Sequence, residues 1–79
     1  MYYVYVLKSK DTDRLYIGST AHYEERLQSH NAGRVRSTKR HRPWERVLLE
    51  IYPDRNRAEQ RERYLKSGWG RTWLEKHIL

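Results

Sequence analysis

Residues 2–8 alternate so that Tyr3, Tyr5 and Leu7 fall on one face of an extended chain and Tyr2, Val4 and Val6 on the other. Both faces are apolar, and aromatic and β-branched residues dominate, which predicts a strand in the interior of a sheet. Ser9-Lys10-Asp11-Thr12-Asp13 supplies turn chemistry, and Arg14 to Gly18 returns as a second strand, making a hairpin. With a four-residue loop Leu7 faces Tyr16 and Tyr5 faces Gly18, so Tyr5 and Tyr16 lie diagonally on one face, ~7–8 Å apart by Cα. Gly18-Ser19-Thr20 breaks the pattern and offers a cap for a helix over 21–31. That helix ends at Asn31-Ala32-Gly33, where Gly33 suits a left-handed backbone.

The following segment reads as a loop closed by Arg42-Pro43, and the proline marks entry to a third strand, Trp44 to Tyr52. There Val47, Leu49 and Ile51 alternate against Leu48 and Tyr52. Asn56 with Glu59 three residues later resembles a capping box and predicts a helix over 56–67, ending near Ser67-Gly68. Trp73, Leu74, His77 and Ile78 have helical spacing, so a short C-terminal helix should pack its tryptophan inward. The outline is ββαβαα: one α+β domain over residues 1–79, a three-stranded, mainly antiparallel sheet flanked by helices. No repeat, low-complexity tract or internal linker interrupts it.

Length and composition narrow the function. At 79 residues a chain buries only ~60–65% of its unfolded surface, so each large apolar residue matters. There is no cysteine, which excludes disulfides and a thiolate zinc site and fits a reducing cytoplasm. No apolar run approaches the ~20 residues of a membrane span, and the N-terminus lacks the features of a signal peptide; no membrane partner is expected. The net charge is +7, unevenly spread. Residues 1–32 are neutral, residues 33–46 carry net +5 and residues 47–79 net +2. The excess therefore centres on Arg34, Arg36, Lys39, Arg40 and Arg42. A focused patch of this kind attracts a polyanion through counterion release and steering, which points to nucleic acid. A solubilising loop, an acidic protein and a membrane surface are the alternatives.

Polar residues also fall on faces expected to be buried. Tyr23, Arg26, Leu27 and His30 stand at i, i+3, i+4 and i+7, on one side of the first helix. Tyr23 and Leu27 must face the sheet, and Arg26 and His30 ride on the edge of the same stripe, either as a site or as a snorkelling arginine and a half-buried histidine. Glu62 lies between Ala58 and Leu65 on the core face of the second helix. A carboxylate there is paired or binds metal, unless it makes only a surface pair with Lys66. Seven tyrosines against no phenylalanine exceed what aromatic volume alone requires. Tyr5 and Tyr16 close together beneath Arg26 and His30 make a candidate site.

Taken together, these elements resemble the GIY-YIG nuclease family. Tyr16-Ile17-Gly18 is the second half of the family name, and Tyr3-Val4-Tyr5 is a degenerate first half. The small standalone branch, with its Tyr-Tyr-Val-Tyr opening, looks nearest. Arg26-Leu27-x-x-His30-Asn31, Thr38-Lys39, Arg42-Pro43-Trp44, Ala58-x-x-x-Glu62 and Leu65-Lys66 follow in order, so the resemblance runs from residue 2 to about residue 71. It implies a phosphodiesterase with one divalent cation, Mg²⁺ or Mn²⁺ as substitute, held by Glu62. It implies further that Tyr5 takes a proton from the attacking water, made more acidic by nearby cations, with His30 relaying that proton or orienting Tyr5. Arg26 would hold a phosphate oxygen, Tyr16 would position water or phosphate, and Lys39 would add charge.

Two family features are missing: an asparagine beyond the metal glutamate, absent from residues 73–79, and an attached DNA-binding domain. Cleavage is then expected to follow substrate structure, strandedness or a targeting partner more than sequence. A chain this small covers too little duplex to cut both strands at once, so double-strand breaks would need a homodimer or successive nicks. The leading expectation is a DNA endonuclease, with RNA as another substrate. A non-catalytic nucleic-acid-binding module of the same fold and an accessory subunit are the rivals.

Overall fold

The structure, a computed structural model, describes residues 1–79. Three strands, β1 (Tyr2–Ser9), β2 (Leu15–Thr20) and β3 (Trp44–Tyr52), form an antiparallel sheet in the order β2-β1-β3. Helix α1 (Tyr23–Asn31) follows the hairpin, and α2 (Arg55–Lys66) and α3 (Gly68–His77) complete the chain. No helix is long and apolar enough to cross a membrane.

The doubly apolar β1 is the central strand, and its alternation builds two cores. Val4 and Val6 pack with Ala58, Leu65 and Leu74 beneath α2 and α3. Tyr5 and Leu7 pack with Tyr23 and Trp44 on the face that α1 covers. Full burial of each such side chain stabilises by about 1.5–3 kcal/mol, so one strand anchors both layers. The hairpin register is the predicted one, with Tyr5 opposite Gly18 and Leu7 opposite Tyr16. Its turn is held by Ser9, whose Oγ accepts from the backbone N–H of Asp11 and Thr12 at 3.1 Å each. Asp13 adopts φ +62°, a conformation aspartate tolerates better than most residues.

Four local expectations are revised. The alternation of β3 breaks where Val6 pairs Leu48 and Leu7 pairs Arg46. The extra residue is Val47, which joins Leu48 and Tyr52 against the α2–α3 core, while Leu49 faces α1. A bulge of this kind turns one side chain to the other face. Ser19 and Thr20 extend β2, and α1 begins at Tyr23 with no side-chain cap on its first turn. The segment expected as loop contains one 3₁₀ turn, Lys39–His41. Finally, α2 is capped by Asp54, whose carboxylate accepts from Arg57 N–H at 2.9 Å; Asn56 already lies within the helix.

Ser67 separates α2 from α3 and caps the latter, accepting from Gly70 N–H. A Cβ on Gly70 would collide with the backbone of Tyr64 and Leu65, so glycine allows the two helices to meet. Arg61 ties the layers together. It donates to both oxygens of Glu50 on β3, at 2.9 and 3.1 Å, and its guanidinium lies 4.6 Å from the ring centre of Trp73, half-buried on α3. The cap assignment is testable by urea unfolding. Asp54→Ala should cost about 1 kcal/mol, and Asn56→Ala less than about 0.5 kcal/mol. The reverse order would return the cap to Asn56.

A candidate active site at the edge of the sheet

β2 is an edge strand, and candidate residues lie against it on both faces of the sheet. On the α1 face, Tyr5 is 1% exposed and His30 fully buried. The Tyr5 hydroxyl stands 3.1 Å from His30 Nε2, and His30 Nδ1 stands 2.8 Å from Thr38 Oγ1. Thr38 commits its own proton to the Val35 carbonyl at 3.3 Å. It therefore accepts from Nδ1–H, which leaves Nε2 with its lone pair toward Tyr5, and Tyr5 donates. A directed chain results: Tyr5 to His30 to Thr38 to the backbone.

Tyr16 lies beside this chain, its ring 6.1 Å from that of Tyr5 and 4.6 Å from that of His30. Gly18 makes the arrangement fit. A Cβ there would stand 2.6 Å from the Tyr5 hydroxyl and 2.8 Å from Cζ, so the glycine of Tyr16-Ile17-Gly18 is where the Tyr5 phenol lies across β2. Half-buried Arg26 is near enough to the phenols of Tyr5 and Tyr16 for its charge to act on both. Hydrogen bonding to Tyr5 first, and then to Tyr16, holds its proton more tightly than usual despite desolvation.

Burial pushes the Tyr5 phenol up to about 12, and the Arg26 hydrogen bond and charge only partly offset it. The expectation that neighbouring cations make Tyr5 acidic is overturned for the free protein: removal from water outweighs the single cation beside it. Burial, reinforced by Arg26, pushes His30 down to about 4. Both groups are neutral across the physiological range.

Glu62 approaches from the other face. Ser19 follows Gly18 on β2 and so points toward α2, where its hydroxyl donates to Glu62 Oε1 at 2.5 Å. Lys66 donates to Oε2 at 2.7 Å, so the anticipated i, i+4 pair is present as well. Burial works to raise the proton affinity of Glu62, but the bonds from Lys66 and Ser19 and the charge of Arg63 outweigh it, and the carboxyl lies below its usual range. Its charge is felt across β2 at Tyr5.

Glu62 belongs to no group of three or more His, Cys, Asp and Glu side chains placed to hold a metal ion. A hard cation that keeps most of its water and takes one or two carboxylates plus substrate phosphates suits this donor set. Glu62 fits that role, with Oε2 opened by release of Lys66.

Arg34, Arg36, Lys39, Arg40 and Arg42 are all exposed, and none enters an ion pair. The segment that carries them is fixed from within. Asn31 pairs with the backbone of Trp44 in both directions, at 2.7 and 3.2 Å. The Trp44 indole donates to the Thr38 carbonyl at 2.9 Å, and Gly33 takes φ +78° with the Arg42 side chain laid over it. The basic segment is thus tied through Thr38 to His30. Ser19, Thr38 and Asn31 are the residues whose parts in the site sequence reasoning missed. Thr38 and Asn31 stand within the motif elements Thr38-Lys39 and Arg26-Leu27-x-x-His30-Asn31, without a role read for them, and Ser19 is marked only by following Gly18.

The buried histidine has a pH consequence. Unfolded, His30 takes a proton near its ordinary value of about 6.5; folded, it resists until about 4. As pH falls between those values the unfolded state gains a proton that the folded state does not, and stability declines. The loss through this one group is about 3 kcal/mol. Urea unfolding at about pH 7 and about pH 4 should show it, and His30→Gln should remove it. An equal decline in that variant would assign the acid sensitivity to other groups.

The profile of the GIY-YIG catalytic domain matches residues 1–76. A UPF0213 protein of Staphylococcus haemolyticus is 39% identical over 67 residues, spanning 84% of this chain and 80% of that protein. The structure-specific endonuclease subunit SLX1 of Cryptococcus neoformans is 35% identical over 85 residues, spanning 98% of this chain but 16% of its own length. The solution NMR structure of a UPF0213 protein from Bacillus halodurans superposes with a TM-score of 0.58 at 26% identity, covering 96% of this chain and 84% of that one. Since the match runs from the first strand into the last helix, the chain belongs to the GIY-YIG family of nuclease domains.

Proposed function

We propose that the protein is a divalent-metal-dependent endonuclease that hydrolyses phosphodiester bonds in DNA and selects its target by structure more than by sequence. The observation that carries this reading is the directed chain from Tyr5 through His30 to Thr38, whose Tyr5 end lies beside Arg26 and across β2 from Glu62. A core that needed only aromatic volume has no use for a buried, oriented proton acceptor behind a phenol. The likeness to a structure-specific endonuclease subunit over 98% of the chain supports selection by structure.

The residues divide the work as follows. As water attacks phosphorus and the P–O bond to the leaving oxygen breaks, the water proton passes to the Tyr5 oxygen while Tyr5 passes its own to His30 Nε2. No full phenolate forms, which matters because that phenol holds its proton to about 12. His30, a poor base at about 4 in the free protein, gains basicity when phosphate charge arrives, since a nearby anion favours the imidazolium. Arg26 binds a non-bridging oxygen and stabilises the charge that grows there. Tyr16 positions the water or the phosphate. Glu62, prepared as a carboxylate, would hold Mg²⁺ or Mn²⁺, which when bound offsets charge on the leaving oxygen. The basic residues Arg34, Arg36, Lys39, Arg40 and Arg42 bind flanking phosphates, and a second copy or a targeting partner would supply paired cuts.

Incubation with supercoiled plasmid at low salt, with Mg²⁺, Mn²⁺ or EDTA, tests the reading. The wild type should nick in both metals and not in EDTA. Glu62→Ala should lose nicking by at least about 100-fold while binding as well or more tightly, having lost a negative charge. Retarded but intact plasmid in every lane would instead establish a binding module of the same fold.

A further inference from the structure

We propose that Arg14 and Arg71 form a second phosphate-binding surface for the backbone of the substrate nucleic acid, on the Glu62 side of the site and apart from the basic segment of residues 34–42. The proposal rests on the nucleic-acid reading above. Two adjoining grooves, of about 220 and 330 Å³, run between the β1–β2 hairpin and α3 and share Leu15 and Arg71 as lining residues. The first is also lined by Lys66, the partner of Glu62. The second reaches Arg14, Asp13 and Thr12. Thr12 in turn meets His41 of the basic segment at 3.1 Å. Basic residues therefore follow one another around the end of the hairpin, from the 3₁₀ turn through Arg14 and Arg71 to Lys66 beside Glu62.

The two arginines in these grooves lack internal partners. Neither Arg14 nor Arg71 enters a salt bridge. The one acid present, Asp13, turns to Lys8 at 3.6 Å, and its side chain is 87% exposed. Two guanidinium groups on one concave surface repel each other until an anion arrives, and their planar forks match phosphate oxygens. An acidic protein would satisfy the charge, but Lys66 and Glu62 set this surface beside the phosphate chemistry. A strand crossing the sheet edge would then be gripped on both sides of the point of cleavage.

The salt dependence of binding tests this, read by anisotropy of a short fluorescein-labelled duplex in EDTA, so that no cleavage intervenes. Relative to wild type, R14A/R71A should make log K against log salt shallower by about 1.8, the release expected from two phosphates on duplex DNA. R14K/R71K should restore most of that slope. Lys76→Ala removes an exposed charge in the last turn of α3, outside the lining of either groove, and should leave the slope unchanged. An R14A/R71A slope equal to wild type would overturn the proposal. So would an equal effect of Lys76→Ala, since charge anywhere would then suffice. Circular dichroism of each variant separates lost contacts from lost fold. Plasmid nicking by the same wild-type preparation reports separately on the nuclease reading, so a protein that binds without cutting sinks that reading and leaves the slope to decide this one.

Discussion

The Tyr5 side chain is 1% exposed, held between the central strand and α1. An unpaired polar group there would cost about 1–3 kcal/mol. His30 meets that need at 3.1 Å, and the consequences spread outward. To reach Tyr5 the imidazole must itself be buried, which keeps it neutral. To hold one tautomer it needs an acceptor at Nδ1, which Thr38 provides. Thr38 is also where the Trp44 indole grips the basic segment, so the placement of the exposed arginines depends on a hydrogen bond in the core. Gly18 is drawn in from the opposite side, since any side chain there would occupy the phenol's place.

The two faces of the sheet carry different electrostatics. On the α1 face burial pushes Tyr5 and His30 apart, toward about 12 and about 4, leaving one proton held between two neutral rings. Across β2, Glu62 is kept ionised by Lys66 and Ser19. Environments that separate titratable groups in this way assign roles to them. Permanent charge sits on Arg26 and Glu62, where a phosphate would be bound, and the mobile proton sits in the dry layer behind. In the proposed mechanism the substrate's own charge would move that proton by favouring imidazolium, so the relay would operate only when substrate is present.

Much of this was legible in the chain. The apolar pattern on both faces of residues 2–8 put that strand in the centre of the sheet, and the length of the hairpin loop set Tyr5 against Gly18. Helical spacing placed Arg26 and His30 with Tyr23, and Glu62 with Ala58 and Leu65. The features that escaped depend on tertiary distances without a periodic trace. Ser19 and Thr38 are small hydroxyl residues whose partners lie 43 and 8 residues away. Arg14 and Arg71 share a groove but no sequence pattern. The Val47 bulge shifts one residue inside an otherwise regular alternation. Neighbouring charges, visible in a sequence, point to an acidic Tyr5, whereas the depth of burial that outweighs them in the free protein is not visible there.

The central claim is that the Tyr5 oxygen carries the proton of the attacking water toward His30. The most direct measurement is the single-turnover nicking rate of Tyr5→Phe with Mg²⁺, in protein shown to be folded and to bind DNA with wild-type affinity. Phenylalanine keeps the ring and removes the oxygen alone. The account predicts a fall in rate of at least about 100-fold. A rate within a few-fold of wild type would contradict it and leave the buried chain a purely structural device.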